Sequence, residues 1–177
     1  MKIQRMMLAL KTKSFRIRPW QMEDIPDLVV HANNLNVSKN VRDSFPYPYT
    51  EINAKSYIEY VACKNPLQDF AIEMNGIAIG GISVSPLSDI ERFSAELGYW
   101  LGESYWNKGV ATETVRIFTD YIFQHTGIVR LFACVLTCNL PSVRVLEKNG
   151  FRRVGVLHKA AFKNNRFEDM YYYERCM

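Results

Sequence analysis

A short basic turn that contains a glycine is the part of this chain whose residues most directly predict chemistry. It runs from Trp106 to Ala111 and separates an alternating segment, 94–101, from an amphipathic segment that begins at Gly109. A strand that leads into a helix through such a turn points several backbone N–H groups one way, at the positive end of the helix dipole. The turn therefore predicts a phosphate site. It lacks the G-K-[ST] ending of a P-loop and has no G-x-G-x-x-G pattern, so neither a nucleoside triphosphate nor a dinucleotide is the predicted ligand.

The segments around the turn predict the elements that position it. Alternation over 94–101 places Glu96 and Trp100 on one face of a strand and Tyr99 on the other. An Asn-Gly pair at 75–76 between two apolar runs is a strong hairpin signal, and Asn139 is the predicted N-cap of a short helix. Strands are predicted over 14–20, 69–74, 77–84, 94–101, 129–136, 151–159 and 168–175, and helices over 23–33, 51–63, 109–125 and 140–149.

This order predicts an α/β fold with one twisted mixed sheet of about six to seven strands, flanked by about four helices. At 177 residues and 48% hydrophobic residues, a single domain over 1–177 is expected, with 1–13 as a frayed or weakly docked segment. No apolar run approaches the ~20 residues of a membrane span, and no signal peptide is recognisable, so we expect a cytoplasmic protein.

Composition also limits the classes of partner. The net charge of +4 is mild and no Lys/Arg run is dense, so nucleic acid is not the expected partner. The four cysteines form no C-x-x-C pair and have no histidine at ligand spacing, which predicts reduced thiols and no metal site.

Two motifs resemble those of the GNAT acetyltransferase superfamily, and in particular its RimJ/RimL branch. In the family pattern Q/R-x-x-G-x-G/A, Gly109 and Ala111 match, while Trp106 stands where Gln or Arg is usual. The predicted order of elements is that of the family from about Phe15 to the end. The second motif, N-x-x-S-x-x-x-x-x-x-N-G-F, is formed by Asn139, Ser142, Asn149, Gly150 and Phe151.

The resemblance implies acetyl-CoA as cosubstrate. The backbone N–H groups from Asn107 to Thr112 would hold the pyrophosphate, and Lys108 would add charge or simply be a solvated lysine. Pantetheine would fill a gap between two strands. The residues implied to bind acetyl-CoA are Trp100, Leu101, Asn107, Lys108, Gly109, Val110, Ala111, Thr112, Asn139 and Ser142.

The resemblance also implies catalytic and substrate-binding residues. Glu96 is the implied base; the alternative is a partly exposed carboxylate paired with a cation. Many family members place a tyrosine where this chain has Leu146, so Ser142 is the implied acid, or serves only to start its helix. Three aromatic residues in the loop 42–49 are predicted either to contact the acceptor or to cover the core: Phe45, Tyr47 and Tyr49.

The expected function is transfer of an acetyl group from acetyl-CoA to a primary amine by direct attack in a ternary complex. No nucleophile with a partnered base is visible, which disfavours an acetyl-enzyme. A protein N-terminus, such as that of a ribosomal protein, a polyamine, an amino acid or an antibiotic amine could be the acceptor. Ala160 and Ala161 replace a glutamate found in relatives that act on ribosomal proteins, which weakens the assignment of a ribosomal protein as acceptor.

The alternatives to an acetyltransferase are a catalytically weak acyl-CoA-binding or sensor module and an RNA-associated module. The protein is expected to be a monomer or a homodimer.

Overall fold

One mixed sheet of eight strands runs through the part of the chain that the structure describes. This structure is a computed structural model and describes residues 10–177. The strands are Leu10–Lys11 (β1), Arg16–Pro19 (β2), Asp69–Met74 (β3), Ile77–Pro86 (β4), Ser94–Leu101 (β5), Arg130–Leu136 (β6), Arg152–Lys163 (β7) and Arg166–Cys176 (β8). They lie in the order β1-β2-β3-β4-β5-β6-β8-β7. β5 and β6 run parallel, and the other neighbouring strands are antiparallel.

Helices cover both faces of this sheet. They are Ile25–Ala32 (α1), Leu35–Ser38 (α2), Glu51–Ala62 (α3), Val110–His125 (α4) and Leu140–Lys148 (α5). Apolar residues of α1 and α3 pack with Ala71 and Ala78 in one buried cluster. Those of α4 and α5 pack with Phe70 and Ile72 in a second cluster. Because Ala71 alternates with Phe70 and Ile72 along β3, the two clusters lie on opposite faces of the sheet.

The predicted fold class is confirmed, with slightly more elements than expected. Within residues 10–177 there are eight strands instead of six to seven, and five α-helices instead of four. The additional strand β1 has two residues and the additional helix α2 has four, which is too short for either to produce a periodic pattern in the sequence. β1 lies in the segment 1–13 that was predicted to be frayed, and residues 1–9 of that segment lie outside the described residues.

Local signals in the sequence account for several element boundaries. The Asn75-Gly76 turn joins β3 to β4 with both residues at positive φ, 53° and 84°. The Thr50 side chain accepts a hydrogen bond from the Asn53 N–H at the start of α3, and the Asn139 side chain accepts one from the Ser142 N–H at the start of α5. The predicted hairpin and the predicted Asn139 cap are therefore confirmed.

A buried ionic cluster joins two strands to the segment that precedes α1. Both terminal nitrogens of Arg18 donate to the Asp24 carboxylate at 2.7 Å, and its Nε donates to Glu73. The Arg18 side chain is only 9% exposed, and Asp24 and Glu73 are buried. Hydrogen bonds from Arg16 and Arg18 hold the pKa of Glu73 below its ordinary value. Glu73 therefore stabilises the fold at pH values above the pKa of a glutamate in the unfolded chain. This contribution is lost as the pH falls through the lowered pKa of Glu73 in the folded protein.

No helix within residues 10–177 combines the length and apolar character needed to cross a membrane.

We expect Arg18→Met to lower the free energy of unfolding by about 3 kcal/mol, because it leaves the buried Asp24 carboxylate without a cation and Glu73 with Arg16 alone. Arg116→Met is the matched control. Arg116 also faces two carboxylates, Glu113 and Asp120, but it lies on the surface, so its loss should leave stability unchanged within error. Urea unfolding of both variants measures this, and equal destabilisation would contradict a special role for the buried cluster.

Candidate functional site

β5 and β6 begin as neighbours and then separate. Their pairing covers residues 94–96 of β5 and 130–132 of β6, whereas β5 stays paired with β4 as far as Leu101. Within residues 10–177, no strand pairs with the β6 side of β5 after Glu96. A wedge-shaped opening, here called the β5–β6 gap, therefore widens toward the turn that precedes α4.

Strand alternation decides which main-chain groups face this gap. The Gly102 N–H donates to the Ile79 carbonyl on β4 at 2.8 Å. The main chain of Trp100 therefore also faces β4, whereas that of Tyr99 and that of Leu101 face the gap. Of the two residues predicted to pair with pantetheine, Leu101 thus presents its main chain to the gap, and Trp100 presents its main chain to β4.

Two glycines of β4 allow this strand to lie close to β5. A Cβ on Gly80 would collide with the main-chain oxygen of Trp100, and a Cβ on Gly81 would lie 2.9 Å from the Trp100 indole nitrogen. Larger residues here would push β5 away from β4, which would change the shape of the gap.

The turn between β5 and α4 has the backbone of an anion site. Asn107 and Gly109 have left-handed conformations, with φ of 59° and 78°, and α4 begins at Val110. A Cβ on Gly109 would meet no atom within 4 Å, so the turn faces open space. The N–H groups of Val110, Ala111 and Thr112 belong to the first turn of the helix, where they have no partners within it.

Basic side chains surround the start of α4. An open depression of about 540 Å³ lies beside the turn, and its lining includes Lys11, Lys13, Lys108 and Arg116. The Lys108 ammonium lies 5.5 Å from the centre of the Tyr105 ring. The three lysine charges add to the helix dipole and favour an anion at this position, whereas Arg116 is paired with Glu113, which also lines the depression.

Trp106 has a structural contact that explains its presence in the turn. Its indole N–H donates to the Leu101 carbonyl at 2.8 Å, and its ring packs partly against the core. The side chain ties the turn back to the end of β5. Trp106 thus positions the turn, where the family pattern has Gln or Arg.

The second motif places α5 against both the turn and the gap. The Asn149 side chain donates to the carbonyls of Thr112 on α4, at 3.1 Å, and of Val145, at 2.8 Å. At the other end of α5, the Ser142 hydroxyl lies 2.7 Å from the Tyr99 hydroxyl on β5. α5 is therefore joined to the first turn of α4 and to the strand that borders the gap.

Glu96 lies where β5 and β6 part, and it is paired with a cation. Its Oε1 accepts a hydrogen bond from the Arg42 guanidinium at 2.5 Å; the Glu96 side chain is 26% exposed and that of Arg42 is 76% exposed.

Cys134 is half-buried and lies on β6, beyond the residues of that strand that pair with β5. Burial raises the pKa of the Cys134 thiol, the Glu96 charge raises it further, and the Arg42 charge lowers it. These three groups therefore lie close together.

The three aromatic residues of the loop 42–49 have different environments. Tyr49 is buried, and burial raises its pKa to about 12. Phe45 packs against Tyr49 and edge-on against Trp100, with ring centres 5.0 and 5.2 Å apart. Tyr47 is 51% exposed. Tyr49 thus has the packing role that the sequence left as an alternative, and Tyr47 is the most accessible of the three.

Two members of this arrangement, Arg42 and Tyr99, were missed by sequence reasoning. Arg42 lies 54 residues before Glu96, and Tyr99 lies 43 residues before Ser142, so no local spacing relates them. The one available signal was strand alternation, which places Tyr99 on the face opposite Glu96.

Within residues 10–177, no group of three or more His, Cys, Asp or Glu side chains could hold a metal ion.

Comparison with known proteins identifies the family. The acetyltransferase (GNAT) domain family matches residues 14–152, so the chain belongs to this family, and the resemblance inferred from the two motifs is confirmed. Bacillus subtilis YjcK, named as a probable N-acetyltransferase, is 29% identical over 174 residues, covering 90% of this chain and 92% of YjcK. The ribosomal-protein-serine acetyltransferase of Escherichia coli is 33% identical over 100 residues, covering 55% and 54% of the two chains.

A solved structure with the same fold is that of RimL, a ribosomal L7/L12 α-N-protein acetyltransferase in complex with coenzyme A. It superimposes with a TM-score of 0.84 at 18% identity, covering 96% of this chain and 98% of RimL. This identity is low, so the likeness establishes the shared fold.

We expect Glu96→Gln to lower the pKa of Cys134 and so to speed its alkylation at pH 8 about twofold, because a nearby negative charge is removed. Arg42→Met should slow the same reaction. Peptide mass spectrometry after timed alkylation measures this, with the exposed Cys63 and Cys138 as internal references. Acceleration in both variants, or in neither, would contradict the arrangement described here.

Proposed function

We propose that this protein is an N-acetyltransferase that transfers an acetyl group from acetyl-CoA to a primary amine by direct attack in a ternary complex. The observation that carries this proposal is the β5–β6 gap, which leads from the Glu96 carboxylate to the anion-binding turn before α4. A long ligand with a diphosphate near one end and a thioester at the other fits that path. Coenzyme A in the RimL complex supports the same ligand class.

Acetyl-CoA would be held mainly by backbone groups. The diphosphate would accept hydrogen bonds from N–H groups between Asn107 and Thr112, and the lysines nearby would add charge. The pantetheine arm would pair with the gap-facing main chain of Tyr99 and Leu101 as an additional strand. The N–H of Tyr99, which lies two residues closer to Glu96 than Leu101 does, would then face the thioester oxygen and stabilise the negative charge that develops there. Asn139, whose side chain caps α5, would bind the arm from the opposite side.

Glu96 is proposed as the base that deprotonates the acceptor. In the structure its carboxylate accepts a hydrogen bond from a guanidinium, so the position already accommodates a cation. An acceptor ammonium would displace Arg42, transfer one proton to Glu96, directly or through water, and expose its nitrogen lone pair. The nitrogen then attacks the thioester carbon and forms the new C–N bond.

Collapse of the tetrahedral intermediate breaks the C–S bond and leaves the electron pair on sulfur, while the nitrogen releases its second proton to water and becomes the neutral amide. Ser142 is proposed to give its Oγ proton to that sulfur, which releases coenzyme A as a thiol. The role is open to a serine because the apolar Leu146 occupies the position at which many family members carry a tyrosine.

The acceptor is proposed to enter beside the loop 42–49. Phe45 of this loop packs against Trp100, Arg42 of the same loop pairs with Glu96, and Tyr47 is exposed, so an amine next to an apolar or aromatic group suits this entrance. The ribosomal-protein-serine acetyltransferase relative supports a protein N-terminus as one acceptor, and a spermidine N(1)-acetyltransferase relative of Escherichia coli, 25% identical, supports a polyamine.

A thiol-release assay with acetyl-CoA and a panel of amines tests the proposal. The panel holds short peptides with free N-termini, a polyamine, an amino acid and an amine antibiotic. At least one amine should release coenzyme A faster than hydrolysis, with one acetylated product per thiol. Binding of acetyl-CoA without release by any amine would instead support the acyl-CoA-binding module.

We expect Glu96→Gln to lower kcat about 100-fold with little change in the affinity for acetyl-CoA, because it removes a general base that does not touch the cosubstrate. Glu103→Gln is the control, since Glu103 also lies near the end of β5 but is held by Asn34 and Asn36. Steady-state kinetics from pH 6 to 9 measure both. Unchanged turnover of Glu96→Gln across that range would reject Glu96 as the base.

A further inference from the structure

Two hydroxyl groups meet across the space between β5 and α5. The Tyr99 hydroxyl lies 2.7 Å from Ser142 Oγ and 3.2 Å from the Ser142 main-chain oxygen. The Tyr99 ring packs against the core under α4 and α5, so its hydroxyl has a fixed position. Because Tyr99 belongs to the strand that borders the β5–β6 gap, this contact fixes Ser142 relative to the gap.

The direction of this hydrogen bond determines what the serine proton can do. A phenol and a serine hydroxyl each carry one proton and can each accept a hydrogen bond. If the serine donates to the tyrosine, its proton is occupied. If the tyrosine donates to Ser142 Oγ, the serine proton is free to point elsewhere.

Two observations favour the tyrosine as donor to Oγ. A phenol is a stronger acid than an aliphatic hydroxyl and is therefore the better donor of the two, and its 2.7 Å contact with Oγ has the ordinary length of an O–H···O bond, whereas its contact with the main-chain oxygen is 3.2 Å. Burial raises the pKa of Tyr99 above its ordinary value, so the phenol stays protonated throughout the pH range in which amines are acetylated.

We propose that Tyr99 is the positioning residue of Ser142: its hydroxyl donates to Ser142 Oγ and thereby directs the serine proton to the sulfur of coenzyme A. This inference rests on the proposed function. It explains how a serine, whose hydroxyl would otherwise rotate or bond back to the helix backbone, acts as a defined donor. Many family members carry a tyrosine on the last helix, at the position of Leu146 in this chain. Here the phenol is instead that of Tyr99 on β5.

The proton transfer balances without any further reactant. As the C–S bond breaks, the sulfur takes the Ser142 proton and Ser142 Oγ takes the Tyr99 proton. The phenolate then recovers a proton from the solvent, which has received the second proton of the acceptor nitrogen, so no net charge remains on the Tyr99–Ser142 pair. The raised pKa of Tyr99 makes that recovery favourable and returns the pair to its starting state.

We expect Tyr99→Phe to lower kcat about tenfold, or about 1.4 kcal/mol, with the KM values for acetyl-CoA and amine changed less than twofold, because the serine proton is needed only in the chemical step and is no longer directed to the sulfur. The substitution removes one oxygen and keeps the ring. Tyr173→Phe is the matched control. Tyr173 is also buried and its hydroxyl also reaches α5, at Glu147 Oε1, 2.9 Å away, so its loss should leave kcat unchanged.

A double-mutant comparison separates positioning from a structural role. In the Ser142→Ala background, Tyr99→Phe should have no further effect on kcat, because the group that it positions is already absent. An equal tenfold loss in both backgrounds, or wild-type kcat in Tyr99→Phe, would overturn the proposal while leaving acetyl transfer intact. Absence of thiol release by the wild-type protein with every amine would overturn the proposed function and this inference together.

Discussion

The arrangement of this protein depends on the early end of one strand pair. β5 and β6 pair over three residues, and the main chain of the rest of β5 on that side has no strand partner among the described residues. Unpaired backbone groups inside a sheet are costly, so such a gap persists only where neighbouring contacts hold it open and water or a ligand supplies the missing hydrogen bonds. A ligand that behaves as an extra strand meets that requirement.

Contacts from several elements hold the gap in its shape. Gly80 and Gly81 let β4 lie directly against β5, so β5 follows β4 and not β6. The Trp106 indole fixes the end of β5 to the turn, and the Asn149 side chain fixes the first turn of α4 to α5. The site is therefore built from backbone, and a few side chains with structural roles determine where that backbone lies.

Local signals in the sequence predicted the backbone of the site but not the contacts between its side chains. The glycine turn, the Asn75-Gly76 hairpin and the Asn139 cap depend on neighbours in the chain, and all three were found as expected. The Arg42–Glu96 pair and the Tyr99–Ser142 contact join residues more than 40 positions apart, so they become visible only after folding. The sequence also could not reveal that the Trp106 indole donates to the Leu101 carbonyl, since its motif position showed only that it replaces the usual Gln or Arg.

The most direct test of this account is calorimetric titration of acetyl-CoA into the full chain and into Gly109→Trp. Gly76→Trp is the control, because Gly76 also has a positive φ and open space around it but lies in a distant hairpin. We expect the wild-type protein and Gly76→Trp to bind acetyl-CoA with a Kd of about 1–10 μM, near −7 to −8 kcal/mol, and Gly109→Trp to bind it at least tenfold more weakly. Folded wild-type protein that binds no acetyl-CoA, or equal binding by both variants, would contradict the assignment of the turn before α4 as the coenzyme site.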